Sequence, residues 1–493
     1  MTAHEVRPRV RLRQAGEFDP LRLLEGLPAD RECFLLESGA TGPAEVRRWS
    51  FLGSGPLGTL RALDGRVRLE GMGGDLVPGD PFTALDELLA RWRAEPVRDL
   101  PPFWGGFVGF FAYDAGRWIE QLPATAARDQ SVPDVHLGAY DAVLALDHAR
   151  GEAWVVETPL PGCRDHAERA ADLLVDVLRQ GGARAAREGR TGPRDVEVRS
   201  NFDGPAYAAA VGRVRDYILA GDVFEVNLAQ RFTAPLTCTP RELYGRLRAA
   251  SPAPFSGMLD AGDLQMLSSS PERFLKVTPD GGRRLVETRP IKGTRPRGAD
   301  PAQDRRMAEE LLASAKDQAE LAMIVDLSRN DLGRVCQIGT VRVRTPRALE
   351  SYANVHQTVA TVEGELLPDA GVGALLRATL PGGSITGAPK VRAMEIIEEL
   401  EGVRRGAYCG ALGYIGLDGA LDLNILIRTM VCQAGVVTFG AGGAVVLDSD
   451  PGAEYQESLA KASAMLEAVG AAPPTPGDRH GSARGEVDAG ASA

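Results

Sequence analysis

The 493-residue chain is long enough for two or three average domains or one large enzyme unit, and its 44% hydrophobic and 25% charged residues argue against global disorder. With 67 acidic against 56 basic side chains the net charge is −11, which disfavours a general binder of nucleic acid or anionic membrane but leaves room for a small anion held by local basic groups. The six cysteines, at 33, 163, 238, 336, 409 and 432, form no C-x-x-C pair, so neither zinc nor a disulfide framework is expected.

The first residues, Met1 to Gln14, carry arginines and Glu5 but no apolar leader-like run, and no stretch approaches ~18 uninterrupted apolar residues. A cytoplasmic protein with no membrane association is the expectation. Residues 1–180 mix short β-like runs, such as Cys33 to Leu36 and Ala153 to Glu157, with glycine-rich turns and then a helix over Arg164 to Arg179. The polar, glycine-punctuated stretch from Gly181 to Arg199 reads as a linker or exposed loop. Residues 200–470 carry dense β signals (Val341 to Val343, Gln357 to Val362, Val436 to Phe439) interleaved with three evident helices, without βαβ alternation. The last helix has Asp448, Ser449 and Asp450 as cap candidates, Pro451 for its first turn and Gly470 as its stop. The tail, 471–493, is rich in Pro, Gly, Ala and Ser without periodicity, and disorder is expected there.

Two helices carry paired carboxylates at i,i+3: Asp317 with Glu320, and Glu454 with Glu457. The stripe Tyr455, Leu459, Ala462, Leu466 and Val469 should enter the core and leave the second pair at its edge. Two such pairs could converge on one hard cation, for which magnesium suits the oxygen donors better than any transition metal, although spacing alone also fits solvated helix faces. In the run Pro381 to Lys390, the helix start at Pro389 offers free backbone amides, but Ala388 stands where a Walker lysine belongs, so nucleotide phosphate binding is rejected. Gly440 to Gly443 reads as a tight turn or an anion-binding nest and fails as a dinucleotide fingerprint. Lys292 stands among arginines in ETRPIKGTRPR (287–297). Ordinarily that is a surface charge, but neighbouring cations would also depress its pKa, as a nucleophilic lysine requires.

Taken together, SSSPERF (268–274), ETRPIKGTRPR (287–297), AELAMIVDLSRND (319–331), PGGSITGAPKVRAMEIIEELE (381–401), CGALGYIG (409–416), IRT (427–429) and DSDPGAEYQE (448–457) resemble the chorismate-utilising enzymes in content, order and spacing. LLES (35–38), GGFVGFFAYD (105–114) and SPAPFSGML (251–259) extend the likeness towards the N-terminus. The resemblance implies an α+β fold of two packed antiparallel sheets with helices outside. Residues 1–180 would form an N-terminal lobe like that of anthranilate synthase component I, and 200–470 a chorismate-binding catalytic region.

It further implies Mg2+ on Glu320 and Glu457, with Asp317 and Glu454 nearby. Substrate would be held by Arg428, Tyr414, Ser384, Thr386 and the backbone around Gly442 and Gly443, with Glu272 as general acid/base. PIKGT, where anthranilate-forming members read PIAGT, resembles the aminodeoxychorismate-forming branch, whose chemistry would make Lys292 a covalent nucleophile. NLAQRF (227–232) leans the same way. Glu225, where isochorismate- and salicylate-forming members carry a water-activating lysine, argues against those. Gln357 takes the place of a histidine of the anthranilate-forming members, with His356 one residue earlier as a catalytic or a structural strand histidine. No segment reads as a glutaminase, so ammonia is expected from a separate glutamine amidotransferase subunit or from solution. Leu35, Leu36, Glu37 and Ser38 resemble a tryptophan-binding element that serves feedback in some members and a structural role in others. Anthranilate formation and a noncatalytic tryptophan-binding regulator are the competing readings.

Overall fold

The computed structural model describes residues 6–39, 42–72, 79–181 and 196–471. The expected linker falls mostly, and the expected disordered tail almost wholly, outside these residues. Two antiparallel sheets dominate. The first runs, in spatial order, Arg9–Ala15, Glu152–Glu157, Ala142–Asp147, Trp49–Ser54, Cys33–Glu37, Phe255–Asp260, Leu264–Ser270, Thr429–Gln433, Val436–Val445, Glu225–Pro235 and Arg199–Ser200, with Gly387–Ala388 also on Glu225–Pro235. The second runs Ile291–Pro296, Val355–Glu365, Arg283–Arg289, Arg273–Asp280, Leu421–Ile425, Ala411–Gly416, Gly106–Phe111, Val135–Tyr140, Gly58–Leu63 and Arg66–Glu70, with Arg342–Ser351 on Val355–Glu365. Strands from either side of 181–199 share both sheets.

Alternation along the strands explains how the first sheet is buried on both faces. Phe34, Val143, Ala145 and Leu259 point into the larger core, where Phe51, Phe103, Phe107, Phe110 and Tyr414 gather. Their neighbours Cys33, Leu35, Leu144, Leu146 and Met258 point the other way, into a second core closed by the helices Pro20–Gly26, Arg164–Arg179, Pro240–Ala250 and Pro451–Val469. Each phenylalanine so enclosed contributes roughly 1.5–3 kcal/mol relative to exposure.

The Arg164–Arg179 helix occupies its expected span. In the last helix, Pro451–Val469, Asp450 is the cap that accepts from the Ala453 amide, and Gly470 closes the end at φ 85°. Leu459, Ala462, Leu466 and Val469 are buried as their stripe requires, and Tyr455 packs on Tyr207. Among the described residues 200–470 hold seven α-helices rather than three. The additional ones are Gly204–Leu219, Pro240–Ala250, Pro301–Ala313 and Val372–Thr379; the first three start at side-chain caps, such as the Thr239–Glu242 capping box, and the last buries most of its residues. Gly440 to Gly443 is neither a turn nor a nest. It lies inside the strand Val436–Val445, paired with Glu225–Pro235 from Val226 to Pro235.

Candidate functional site

A cleft of about 740 Å³ opens where the Glu225–Pro235 and Val436–Val445 strands of the first sheet face the edge strand Ile291–Pro296 of the second. The helices Ala315–Gly333 and Pro451–Val469 supply further walls. Lys292, Glu272, Asp317, Glu320, Glu457, Ser384, Arg428, Gly442 and Gly443 all line it, from seven separate stretches of chain. Gln357 lines it too.

Lys292 is buried on the edge strand, and its backbone carbonyl accepts from the Thr358 hydroxyl of the neighbouring strand. Its Nζ donates to Glu225 Oε1 at 2.9 Å. Here the expectation of a depressed pKa fails. Burial does push the ammonium down, but Glu225, Glu320 and Glu272 outweigh it and hold the pKa above its ordinary value. The flanking arginines are engaged elsewhere, Arg295 with Asp317 at 3.0 Å and Arg297 with Asp304 at 2.7 Å.

Glu272 is buried where the SPERF segment enters the strand Arg273–Asp280, and its Oε1 accepts from Ser384 Oγ at 2.6 Å. Burial raises its pKa to about 7, with the Ser384 hydroxyl and the Lys292 charge opposing. A carboxyl poised there can donate a proton near neutral pH, as a general acid must.

The carboxylates on the two helices differ in setting. Glu320 has one oxygen buried without a hydrogen-bond partner, and Lys316 stands 3.7 Å away. Burial raises its pKa, against the pull of Lys292. Glu457 is half-exposed and paired with Lys461 at 2.7 Å; burial pushes its pKa up, but Lys461, Lys316 and Lys292 bring it below the ordinary value. Glu454 is buried, accepts from Ser449 at 2.7 Å through one oxygen and leaves the other without a partner. Among the described residues no group of three or more His, Cys, Asp or Glu side chains is gathered closely enough to hold a metal ion, although Asp317, Glu320 and Glu457, from both helices, line the same cleft. What remains fits a hard divalent cation that keeps part of its water shell: carboxylates from two helices on one cleft, one of them with an unpartnered oxygen.

Arg428 holds a left-handed backbone conformation, φ 49°, which is uncommon for a residue with a side chain and concentrates at functional sites. Its guanidinium donates to Ser251 Oγ at 3.3 Å, and among the described residues no carboxylate stands within ion-pair distance. Desolvation without a counter-charge lowers its pKa, so an incoming carboxylate would complete the site.

Tyr414, expected beside it, is not in the cleft. Strand alternation turns its ring into the core, stacked on Phe103 at 4.6 Å and edge-on to Phe51 at 5.4 Å. The tyrosine that lines the cleft is Tyr408. Gly440 makes room for it, since a Cβ there would lie 2.5 Å from the Tyr408 ring. Thr386 is also absent from the lining; its hydroxyl donates to the Gly382 carbonyl at 3.0 Å and ties the turn. Glu454 sits just behind the wall, its oxygen 3.1 Å from where a Cβ of Gly443 would stand. His356 bonds Ser351 at 2.8 Å and Asp304 at 3.0 Å through its two ring nitrogens and lies outside the lining.

None of Leu35, Leu36, Glu37 and Ser38 lines the cleft. Glu37 accepts from the Tyr244 hydroxyl at 2.5 Å and pairs with Arg248 at 2.9 Å, while Ser38 donates to the Trp49 carbonyl at 2.6 Å. Sequence reasoning missed Tyr408 and Arg405. The latter is buried with Glu401 at 2.6 Å and donates to the carbonyls of Ile385 and Asn227, joining two walls.

A buried acid, a buried lysine, an unpaired arginine and helix-borne carboxylates around one cleft between two antiparallel sheets define a chorismate-utilising enzyme. The chain belongs to that family: residues 31–467 match the model described as chorismate binding enzyme. It is 43% identical over 450 residues to anthranilate synthase component 1 of Thermus thermophilus, covering 91% of this chain and 94% of the relative. It is 36% identical over 455 residues to aminodeoxychorismate synthase component 1 of Bacillus subtilis, again covering 91% and 94%. The crystal structure of anthranilate synthase component I from Streptococcus pneumoniae superposes with a TM-score of 0.74 at 32% identity, over 85% of this chain and 92% of that one. Among the described residues no helix is long and apolar enough to cross a membrane.

Proposed function

We propose that this enzyme is an aminodeoxychorismate synthase component I, forming 4-amino-4-deoxychorismate from chorismate and ammonia. The observation that carries the reading is Lys292: a buried amine on the wall of the substrate cleft, in the same cavity as an acid with a pKa of about 7. Arg428 and the backbone of Gly442 and Gly443 hold the substrate carboxylates, with Tyr408 against the ring. Lys292, having released a proton to solvent and kept its hydrogen bond to Glu225, attacks C2 as the free amine. The ring double bonds shift, the C4–O bond breaks, and the hydroxyl leaves as water with the Glu272 proton. Ammonia then adds at C4 and expels the amine from C2, and the surplus ammonium proton returns to Glu272. The enolpyruvyl group stays on the ring.

Glu320 and Glu457 would hold Mg2+, with Asp317 and Glu454 in support. The cation supplies charge stabilisation for substrate oxygens. Ammonia comes from glutamine through a separate amidotransferase subunit. The division into an N-terminal lobe, 1–180, and a catalytic region, 200–470, the tryptophan-binding element at Leu35 to Ser38, a cytoplasmic location and a place in folate synthesis belong to the same proposal.

Anthranilate formation is the second reading, favoured by the 43% identity to a component 1 of that activity. Lys292→Ala separates the two. Aminodeoxychorismate formation should collapse in the variant, with at most a modest rise in anthranilate, because Gln357 replaces the histidine of anthranilate-forming members. Undiminished C4 amination by Lys292→Ala would refute the assignment.

A further inference from the structure

We propose that Glu225 is the positioning residue for Lys292, fixing where its amine stands on the cleft wall. This rests on the reading of Lys292 as nucleophile and adds to it the group that aims it. Glu225 is fully buried, with 0% exposure; one oxygen accepts from Lys292 at 2.9 Å, and the other has no hydrogen-bond partner among the described residues. A carboxylate sealed from water with a single cation is costly to bury, and well-packed apolar groups would serve stability as well or better. The pair therefore points to a use in the cleft.

The backbone around Glu225 is held on two sides. On one, Val226 to Pro235 pair in register with Val436 to Val445. On the other, Glu225 and Val226 pair with Ala388 and Gly387, Phe224 donates to the Ala388 carbonyl at 2.7 Å and Asn227 to that of Thr386 at 2.8 Å. Gly387 is required for this approach: its φ is 147° and a Cβ there would lie 2.1 Å from the Glu225 carbonyl oxygen. The glycine-rich run Pro381 to Lys390 thus acts as a clamp on the Glu225 strand rather than as an anion loop. Asn227 adds a side-chain contact to Glu225 Oε1 at 3.3 Å.

Holding matters because Lys292 feels three acids. Glu320 and Glu272 also attract its charge, so without Glu225 the ammonium would swing towards one of them. A displacement of about 1 Å can cost about a hundredfold in rate. Reach is the deciding property. Glu225→Gln keeps an acceptor oxygen at the same distance, whereas Glu225→Asp withdraws the carboxylate by one methylene and Glu225→Ala removes it.

The test follows adduct formation on the Lys292 peptide by mass after mixing each full-length protein with chorismate and magnesium without ammonia, beside steady-state amination with ammonia. Glu225→Ala and Glu225→Asp should slow the adduct and kcat by about tenfold to a hundredfold, with KM for chorismate within about twofold. Glu225→Gln should restore most of the wild-type rate. An adduct forming as fast in Glu225→Ala as in wild type would overturn the positioning role and leave the nucleophile intact. A Glu225→Gln variant as slow as Glu225→Ala would overturn it in favour of charge alone. Absence of any adduct on wild-type Lys292 would instead overturn the nucleophile reading beneath it. If Glu225→Ala does not fold, the Asp and Gln variants carry the same comparison.

Discussion

Replacing Glu272 by glutamine should produce two opposite effects, one on catalysis and one on stability. The amide keeps the shape and a hydrogen-bond acceptor for Ser384, which donates at 2.6 Å, but cannot give up a proton. Loss of a general acid costs about 10²–10⁴ in kcat. In the wild type the acid form, with its pKa at about 7, should predominate near pH 6 and fall to roughly a tenth near pH 8, so the acid-dependent step slows across that interval. The stability effect follows from the same burial. The folded pKa is raised from 4.5 to about 7, so the folded state binds the proton more tightly than the unfolded chain. The stabilisation is fully present below the unfolded value, is lost as pH rises through the folded one and is flat beyond. The shift corresponds to roughly 3 kcal/mol. Glutamine mimics the protonated acid and escapes this loss. Urea unfolding should find Glu272→Gln more stable relative to wild type near pH 8 than near pH 4.5, by an amount of that order. A stability difference independent of pH would rule out the raised carboxyl pKa, and a variant with wild-type kcat would rule out Glu272 as the acid.

Glu457→Ala should abolish magnesium-dependent turnover while leaving the circular dichroism melt unchanged, because this half-exposed carboxylate contributes nothing to the core; full wild-type activity in chelator would sink the metal assignment. Arg428→Lys keeps charge but loses the planar fork, and should raise KM for chorismate about tenfold, equivalent to about 1.4 kcal/mol. An unchanged KM would count against carboxylate recognition there. Glu401→Ala leaves the Arg405 guanidinium buried without its partner, now 2.6 Å away, and should cost about 3–5 kcal/mol in urea unfolding. A loss below about 1 kcal/mol would mean that water or another acid takes over.

The sequence made the site's acids and its lysine readable because motif and local periodicity agree. Helical i,i+3 spacing carried Asp317 with Glu320 and Glu454 with Glu457, and the caps around Pro451 and Gly470 fixed where the last helix lies. The architecture of two antiparallel sheets also followed from the resemblance. What was not readable depends on contacts between distant segments. Tyr414 and Tyr408 sit in one motif-rich stretch, but only strand pairing shows that the first faces Phe103 and that the turn at Cys409, φ 67°, leaves the second at the cleft. The raised pKa of Lys292 comes from Glu225, 67 positions away in sequence, and the nearby arginines that suggested the opposite spend their charge on Asp317 and Asp304. Likewise the glycines at 440–443 read as a turn, because nothing local reveals the ring and strand against which they pack.

The most direct test is the product itself. Chorismate, ammonium and magnesium are incubated with the wild-type protein and the mixture is resolved by mass and fluorescence. The expected product is 4-amino-4-deoxychorismate, which an added lyase converts to 4-aminobenzoate. Fluorescent anthranilate as the main product, formed without any added enzyme, would contradict the proposed function.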